Sequence, residues 1–340
     1  MKPRFMATAL PTICHKDTER ACQVVARCFP EALPPPILRV RGGPVKIPCT
    51  RIDEERKVTI FDLSPARQPE LLGFYEHYLA DDVDYFALSP EEDPGLYRLA
   101  GIYREKPWPE LKLVHCLTIG PYTAGLSLKD ENGAPAFYNE QIRGVIVKYL
   151  AMRAKWRMKE VRKLFPGIQV LTLMVEPALS VYTSSIGTGS WDDIKNALDE
   201  VITAAGGDAG VHCCANFDWS LLMGSAARTI NFDAYRYGET MALYGSTLTE
   251  FLARGGMVAW GIVPTHDPAT LDAENAASLV DKLEHTLDLV VEKGVDRDLL
   301  MESSWVMPSC DIVSLSVERG ERVYELTREV SQLMRAKYFE

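Results

Sequence analysis

The feature that most constrains the fold is a regular alternation of short apolar runs with longer amphipathic stretches, clearest from residue 111 onward. The apolar runs that we interpret as strands are residues 113–119, 168–175, 210–214, 229–232, 257–263 and 299–303. The stretches with helical character are residues 137–164, 191–205, 219–223, 239–253, 269–292 and 317–338. Glycine pairs at 206–207 and 255–256 end two of these helices. This order predicts parallel strands joined by helical crossovers.

The first hundred residues show the same order less clearly. They suggest a strand at 5–9, a helix at 18–29, a strand at 37–40 and a hairpin near 57–62. Counting these elements gives about eight units. We therefore predict the α/β class, as a single (β/α)8 TIM barrel of residues 1–340 with an irregular N-terminal insertion at about 41–110. An open doubly wound sheet is the alternative, but no G-x-G-x-x-G pattern follows any predicted strand, which disfavours it.

Composition narrows the class of protein and its partners. The 340 residues carry 37 Lys and Arg against 47 Asp and Glu, a net charge of −10, which disfavours nucleic acid as a partner. No apolar run reaches the ~18 residues of a membrane span, so we expect no membrane partner. No secretory signal precedes the eight cysteines. We expect a cytoplasmic protein whose thiols are mostly free.

The most informative segment is residues 210–219, Gly-Val-His-Cys-Cys-Ala-Asn-Phe-Asp-Trp. Positions two apart on a strand face the same side, so His212 and Cys214 point together and Cys213 points away. A neutral imidazole and a thiolate are natural zinc ligands. The pair ends its strand, which in a barrel is the catalytic edge. Packing of both side chains in the core remains the alternative.

Further donors end other predicted strands. Cys310, in the Met-Pro-Ser-Cys segment 307–310, would face the same mouth of a barrel. Asp233 is a candidate fourth ligand or a partner of a ligand, and the alternative is a helix N-cap. Glu239 is a second candidate. Three protein donors leave one position of zinc open, as a catalytic site requires.

Two more side chains at strand ends are candidates for chemistry. His266 follows the strand at 257–263 and could transfer a proton, unless it is only a solvated loop histidine. Glu176 could orient a ligand or bind a substrate amine, and the alternative is a charge at a helix start. His15 could also face the mouth. His115 and Cys116 lie within an apolar strand, so we predict that both are packed.

These segments resemble, in the same order, motifs of the C-terminal catalytic barrel of cobalamin-independent methionine synthase. The matching motifs are the His-x-Cys strand end, the downstream carboxylate Asp233, the loop 261–268 with His266, the Pro-Ser-Cys of 308–310, the Glu-Pro-Ala-Leu of 176–179, and residues 117–123. The wider superfamily includes methylcobalamin:coenzyme M methyltransferases and uroporphyrinogen decarboxylase. The run from His212 to Asp218 is similar to the His-x-Cys-Gly-Asn stretch of those methyltransferases, with Asn216 as its asparagine.

The resemblance implies a zinc-dependent methyltransferase. A methyl group would pass from a methylcorrinoid (methylcobalamin, free or on a corrinoid protein partner) or from methyltetrahydrofolate to a zinc-activated thiol or related small-molecule acceptor. The implied metal ligands are His212, Cys214, Asp233 and Cys310. The implied proton donor is His266, and Glu176 and Asn216 are the implied substrate-binding residues.

The departures from the family's motifs leave other functions open. Val175 stands where the family has the aspartate that binds the homocysteine amine, so no particular acceptor is implied. One alternative is a metal-free decarboxylase of the uroporphyrinogen type, which needs basic residues such as Arg39, Arg41 and Arg51 for substrate carboxylates. The other is a non-catalytic subunit that binds a corrinoid or methyl carrier.

Overall fold

The computed structural model describes residues 2–38, 47–182 and 189–340. Its strands are β1 (Thr12–Ile13), β2 (Ala32–Leu33), β3 (Ile37–Leu38), β4 (Thr50–Asp53), β5 (Val58–Phe61), β6 (Leu113–Ile119), β7 (Leu128–Lys129), β8 (Gln169–Val175), β9 (Ala209–Cys213), β10 (Thr229–Phe232), β11 (Met257–Val263) and β12 (Ser304–Pro308). Its α-helices are α1 (Thr18–Cys28), α2 (Gln68–Leu79), α3 (Pro94–Glu105), α4 (Pro121–Ser127), α5 (Glu140–Leu164), α6 (Leu179–Tyr182), α7 (Trp191–Ala204), α8 (Trp219–Met223), α9 (Ala234–Tyr237), α10 (Gly245–Ala253), α11 (Pro268–Ala273), α12 (Ala276–Glu292), α13 (Arg297–Glu302) and α14 (Val317–Tyr338). Short 3-10 helices cover Pro65–Arg67, Val83–Phe86, Ala136–Tyr138 and Gly238–Tyr244.

Seven of the described strands form one parallel sheet in the order β2-β6-β8-β9-β10-β11-β12. Neighbours in the sheet follow one another in the chain with helices between them, which confirms the predicted parallel crossovers. β9, β10, β11 and β12 are buried throughout, because helices cover one face and the curled sheet encloses the other.

The sheet curls so that its two edge strands approach the same N-terminal segment. Phe5 N donates to Ser304 O at 2.7 Å and Thr8 N to Val306 O at 3.1 Å, on β12. The Thr8 hydroxyl donates to Ala32 O of β2 at 2.9 Å. The backbone of this segment pairs with β12, whereas its contact with β2 is a side-chain bond. The structure therefore shows a curled seven-stranded sheet, and the closed eight-stranded barrel that we predicted is not confirmed.

Two predicted strands differ from the structure. Ile37 and Leu38 pair with β1 in a separate two-stranded sheet, and Val40 lies outside the described residues. The sheet instead uses β2, which at two residues is too short to give an apolar run. The strand predicted at 299–303 is wrong: Asp296 accepts from Leu299 N at 2.8 Å and starts α13, so the strand begins at Ser304.

The insertion predicted as irregular contains regular elements in its described part, residues 47–110. β4 and β5 form the expected antiparallel hairpin, which β7 extends to three strands. Helices α2 and α3 follow. Residues 41–46 lie outside the described part. The hairpin prediction is confirmed, and the helices were missed because proline and charged residues interrupt their apolar pattern.

Apolar side chains fill the space on both faces of the sheet. The inner cluster comprises Met6, Leu10, Ala32, Leu113, Leu171, Leu173, Met257, Ala259, Trp305 and Met307. A larger cluster lies between the sheet and its helices. His115 and Cys116 are each 1% exposed, as predicted. Across the described residues, no helix combines the length and apolar composition that crossing a bilayer requires.

Candidate metal centre

Three side chains that the sequence analysis selected lie together at one end of the sheet. The ligand atoms of His212, Cys214 and Cys310 are all within 4.8 Å of one another. Cys310 Sγ lies 3.8 Å from His212 Nε2. His212 is fully buried and both cysteines are partly exposed. Solvent therefore reaches the group at the two cysteines and not at His212.

Strand geometry explains how residues distant in sequence meet here. His212 is on β9, Cys214 follows β9, and Cys310 follows β12, and the carboxyl ends of these parallel strands share one edge of the sheet. Cys213 points to the opposite face, where it is 0% exposed in the outer core. The alternation predicted for 212–214 is therefore observed.

Asn231 fixes the orientation of the His212 ring. It lies opposite His212 in the register of β9 and β10, and its Oδ1 is hydrogen-bonded to His212 Nδ1. Its Nδ2 donates to Ala259 O at 3.0 Å, which sets the amide orientation. An amide oxygen only accepts, so Nδ1 carries the proton and Nε2 keeps its lone pair toward Cys310. The sequence analysis missed Asn231, although a polar residue inside the apolar run 229–232 was the signal.

The two thiols of the group share a proton. Hydrogen bonding from Cys310 lowers the pKa of Cys214 well below its usual range. The same interaction and burial raise the pKa of Cys310. At neutral pH the pair therefore holds one thiolate, on Cys214. A thiolate, a second thiol and an imidazole nitrogen are the donor set that zinc prefers, and they leave one of four positions for another ligand.

Asp233 lies outside this group of three donors. Its Oδ1 accepts from Arg236 N at 3.1 Å, which makes it the N-cap of α9. Its Oδ2 accepts from Arg236 Nε at 2.5 Å and lies 3.4 Å from His266 Nε2. The helix cap that the sequence left open as the alternative is thus observed, and the carboxylate contacts His266 instead of joining the cluster.

His266 lies in the loop after β11, at the same edge of the sheet as the group of three donors. Its side chain is 38% exposed, and Asp233 is fully buried behind it. A histidine in contact with both a carboxylate and solvent can take up and release protons. Proton transfer by His266 stays a prediction.

Glu176 is held by a helix start. It is 0% exposed, and it accepts from Tyr122 N at 2.9 Å, Thr123 N at 2.7 Å and Thr123 Oγ1 at 2.5 Å. Burial raises its pKa to about 7, against the effect of these bonds. Both oxygens accept hydrogen bonds from the N-terminus of α4, so Glu176 positions that turn. Substrate binding by Glu176 stays a prediction.

The remaining candidates are dispersed. Asn216 is exposed in the loop between β9 and α8. Glu239 is 71% exposed and faces His285 at 3.7 Å. His15 is buried, 3.0 Å from Glu321. Arg51, one of the arginines of the decarboxylase alternative, is 3.5 Å from Asp62 in the hairpin region, and Arg39 and Arg41 lie outside the described residues.

Comparisons with known proteins show structures of similar fold, but they identify no relative by sequence. No protein-family model matches the sequence, and no curated protein matches it. Among solved structures, the chain is similar to a B12-independent methionine synthase from Shewanella sp. W3-18-1 in complex with selenomethionine, with 14% identity, a TM-score of 0.52, and coverage of 85% of this chain and 75% of that one. A putative vitamin-B12 independent methionine synthase from Listeria monocytogenes gives 13% identity, a TM-score of 0.45, and coverage of 67% and 65%. The first comparison confirms the predicted resemblance at the level of the fold.

Proposed function

We propose that this chain is a zinc-dependent methyltransferase, built as one barrel-like domain, that transfers a methyl group to a thiol or related acceptor. The observation that carries the proposal is the meeting of His212, Cys214 and Cys310 at the carboxyl end of the sheet. The fold shared with a methionine synthase structure supports the same reaction class.

His212, Cys214 and Cys310 are the residues that would hold zinc. Bound there, zinc supplies the positive charge that lowers the pKa of an acceptor thiol and keeps its sulfur nucleophilic at neutral pH. Asn231 holds the His212 ring so that Nε2 remains unprotonated. Val175 lies opposite His212 in the register of β8 and β9. Leu117, Val175 and Cys310 each pack against the inner apolar cluster, which forms the floor below the three donors.

His266 and Asp233 account for the proton in the proposed transfer. When the methyl carbon bonds to the acceptor sulfur, its bond to the donor breaks and the donor atom keeps the electron pair. That atom then needs a proton, which His266 donates from the edge of the site. The buried Asp233 carboxylate orients the ring, since its Oδ2 lies 3.4 Å from Nε2.

The proposal takes a methyl-folate as the donor. The sequence left methylcorrinoid and methyl-folate open. The structurally similar protein is described as B12-independent, which gives no support to a methylcorrinoid donor or a corrinoid protein partner. We therefore propose transfer from methyltetrahydrofolate to a small-molecule acceptor.

Metal analysis of protein purified without chelators tests the proposal. We expect about one zinc per chain in the wild type and less than roughly a tenth of that in the Cys214→Ala/Cys310→Ala double variant, because two of three donors are lost. Cys213→Ala is the matched control, since that thiol faces the outer core. A wild type without zinc, or a double variant that retains it, would refute the proposal.

An activity assay separates the enzyme from a subunit that only binds. The zinc-loaded wild type, given methyltetrahydrofolate and a panel of small thiols, should release tetrahydrofolate with one of them. We expect His266→Gln to lower the turnover rate by roughly 10²-fold or more while its zinc content stays unchanged. Zinc binding without turnover of any thiol would favour the non-catalytic alternative.

A further inference from the structure

We propose that the chain also binds a small carboxylate with an apolar body in a cavity between α5 and the outer face of the sheet. The cavity measures about 130 Å³. It is lined on one side by Arg153, Arg157 and Trp156 of α5 and on the other by Thr118 and Thr172 of β6 and β8. Leu171 and Leu173 belong to the inner cluster, so Thr172 between them faces outward, on the side opposite the metal centre.

The charge of the lining points to an anion. Arg157 is mostly buried and pairs with Asp93, Nη2 to Oδ2 at 2.5 Å, so the two charges cancel. Arg153 donates from Nη1 to Phe86 O at 3.3 Å, and among the ion pairs of the described residues it has no carboxylate partner. The lining contains no acidic side chain. One guanidinium without a carboxylate partner among the described residues therefore faces this cavity, where it could pair with an anion.

Unpartnered polar atoms support the same conclusion. Thr172 is 2% exposed, and its Oγ1 is buried with no hydrogen-bond partner. Arg157 Nε is likewise buried without a partner. Buried polar groups are rarely left unpaired, and both atoms are donors. A carboxylate that accepts from Thr172 and the guanidinium groups would satisfy them together.

The other residues that line the cavity favour a ligand with an apolar body. Leu88, Leu150, Ala154 and the ring of Trp156 make most of the wall apolar. A single net positive charge matches a monoanion better than a phosphate dianion. The chemistry that fits is a short branched or cyclic monocarboxylate, for which isovalerate is a suitable probe.

Isothermal titration of the full chain with isovalerate tests this site, and isovaleramide serves as the neutral isostere. We expect saturable binding of about one isovalerate per chain and at least roughly tenfold weaker binding of the amide, which lacks the charge. Arg153→Met should weaken isovalerate binding roughly tenfold, and Thr172→Val by several-fold. Arg162→Met is the matched control, because Arg162 is an exposed arginine on the same helix.

The outcomes that overturn the inference are specific. They are no saturable isovalerate binding, equal binding of acid and amide, Arg153→Met binding as the wild type, or binding of inorganic phosphate in preference to isovalerate. Circular dichroism melts check that each variant folds, and Thr172→Val removes only a hydroxyl if Arg153→Met does not fold. Zinc content should not change in these variants, so failure here is distinguishable from failure of the proposed function.

Discussion

Asn231 shows how a single buried amide can decide the chemistry of its neighbour. Its oxygen accepts a hydrogen bond from His212 Nδ1, and its own amide nitrogen donates to Ala259 O. Without that acceptor, either ring nitrogen of His212 could carry the proton. The orientation of the metal-facing nitrogen therefore depends on a residue of the adjacent strand.

Replacing this amide should weaken metal binding without removing a donor. For Asn231→Leu we expect zinc affinity to fall by roughly 10- to 100-fold, because the His212 ring loses its orienting partner. Competition with a chromophoric chelator measures the affinity. Asn196→Leu, on the exposed side of α7, is the matched control and should bind zinc as the wild type does. Unchanged affinity in Asn231→Leu would contradict this orienting role.

His115 makes stability depend on pH. Burial lowers its pKa from 6.5 to about 4, so in this interval the unfolded chain binds a proton that the folded chain excludes. Above pH 6.5, His115 has no such effect on the free energy of unfolding. As the pH falls from 6.5 to 4, the histidine lowers that free energy progressively, by up to about 3 kcal/mol.

The His115 effect can be isolated by substitution. His115→Leu should lose this part of the pH dependence, since leucine matches the surrounding Leu113 and Leu171 and does not titrate. Urea unfolding of both proteins at pH 7.0, 5.5 and 4.5 measures the difference. If the difference in unfolding free energy between wild type and variant is the same at all three pH values, His115 does not cause the pH dependence.

The three clustered donors were predictable from sequence, but the carboxylates were not. His212, Cys214 and Cys310 follow from strand alternation and from the shared edge of parallel strands. Asp233 and Glu176 occupy the same kind of position, directly after a strand and before a helix. At that position the sequence of a carboxylate that binds a ligand is the same as that of a carboxylate that caps a helix. Only the observed hydrogen bonds to α9 and α4 show that these two carboxylates contact helix starts.

Most elements in the middle of the sheet were predicted within a few residues, whereas the two edge strands were not. β6, β10, β11, α8 and α14 have the predicted bounds. β2 was missed because two residues carry too little periodicity. β12 was displaced because the apolar residues predicted as its start belong to α13, which Asp296 caps. The predicted helix at 269–292 is divided into α11 and α12 because Asn275 forms a capping box with Ser278.

Close approach of β11 and β12 depends on Gly261. A Cβ there would lie 2.4 Å from Phe232 O and 2.8 Å from Ser309 Cα, and these backbone atoms cannot move independently. For Gly261→Ala we expect a loss of about 1–3 kcal/mol in unfolding free energy, and weaker zinc binding, because the end of β12 that carries Cys310 must shift. Denaturant titration and metal analysis check both effects.

Gly144, inside α5, provides the control for Gly261. No atom lies within 4 Å of its Cβ position, and it has a helical backbone. Gly144→Ala should therefore gain about 0.5–1 kcal/mol. Equal effects of the two substitutions would show that packing against β12 is not what matters at Gly261.

The curl of the complete sheet was the least predictable property. Alternating strands and helices specify parallel pairing, but they do not specify whether the edges meet, because that depends on contacts between the first residues and the last strand. Here Ser331 of α14 donates to Phe5 O at 2.6 Å and fixes the N-terminal segment from outside.

Hydrogen exchange tests whether the N-terminal segment is as stably paired with β12 as a strand of the sheet. The amides of Phe5 and Thr8 donate to β12, and Val306 N donates to Met6 O at 3.1 Å. We expect the amides of residues 5, 8 and 306 to exchange at similar slow rates, and Lys57 in a hairpin turn to exchange quickly. Fast exchange at residues 5 and 8 alone would show that the edge of the sheet opens independently.

The donors His212 and Cys310 stand 98 positions apart in the chain. Under the proposed function, the chain must therefore be synthesised through Cys310 before all three protein donors are present to bind zinc. Loading with metal would then be a late event that reports correct assembly of everything between β9 and β12.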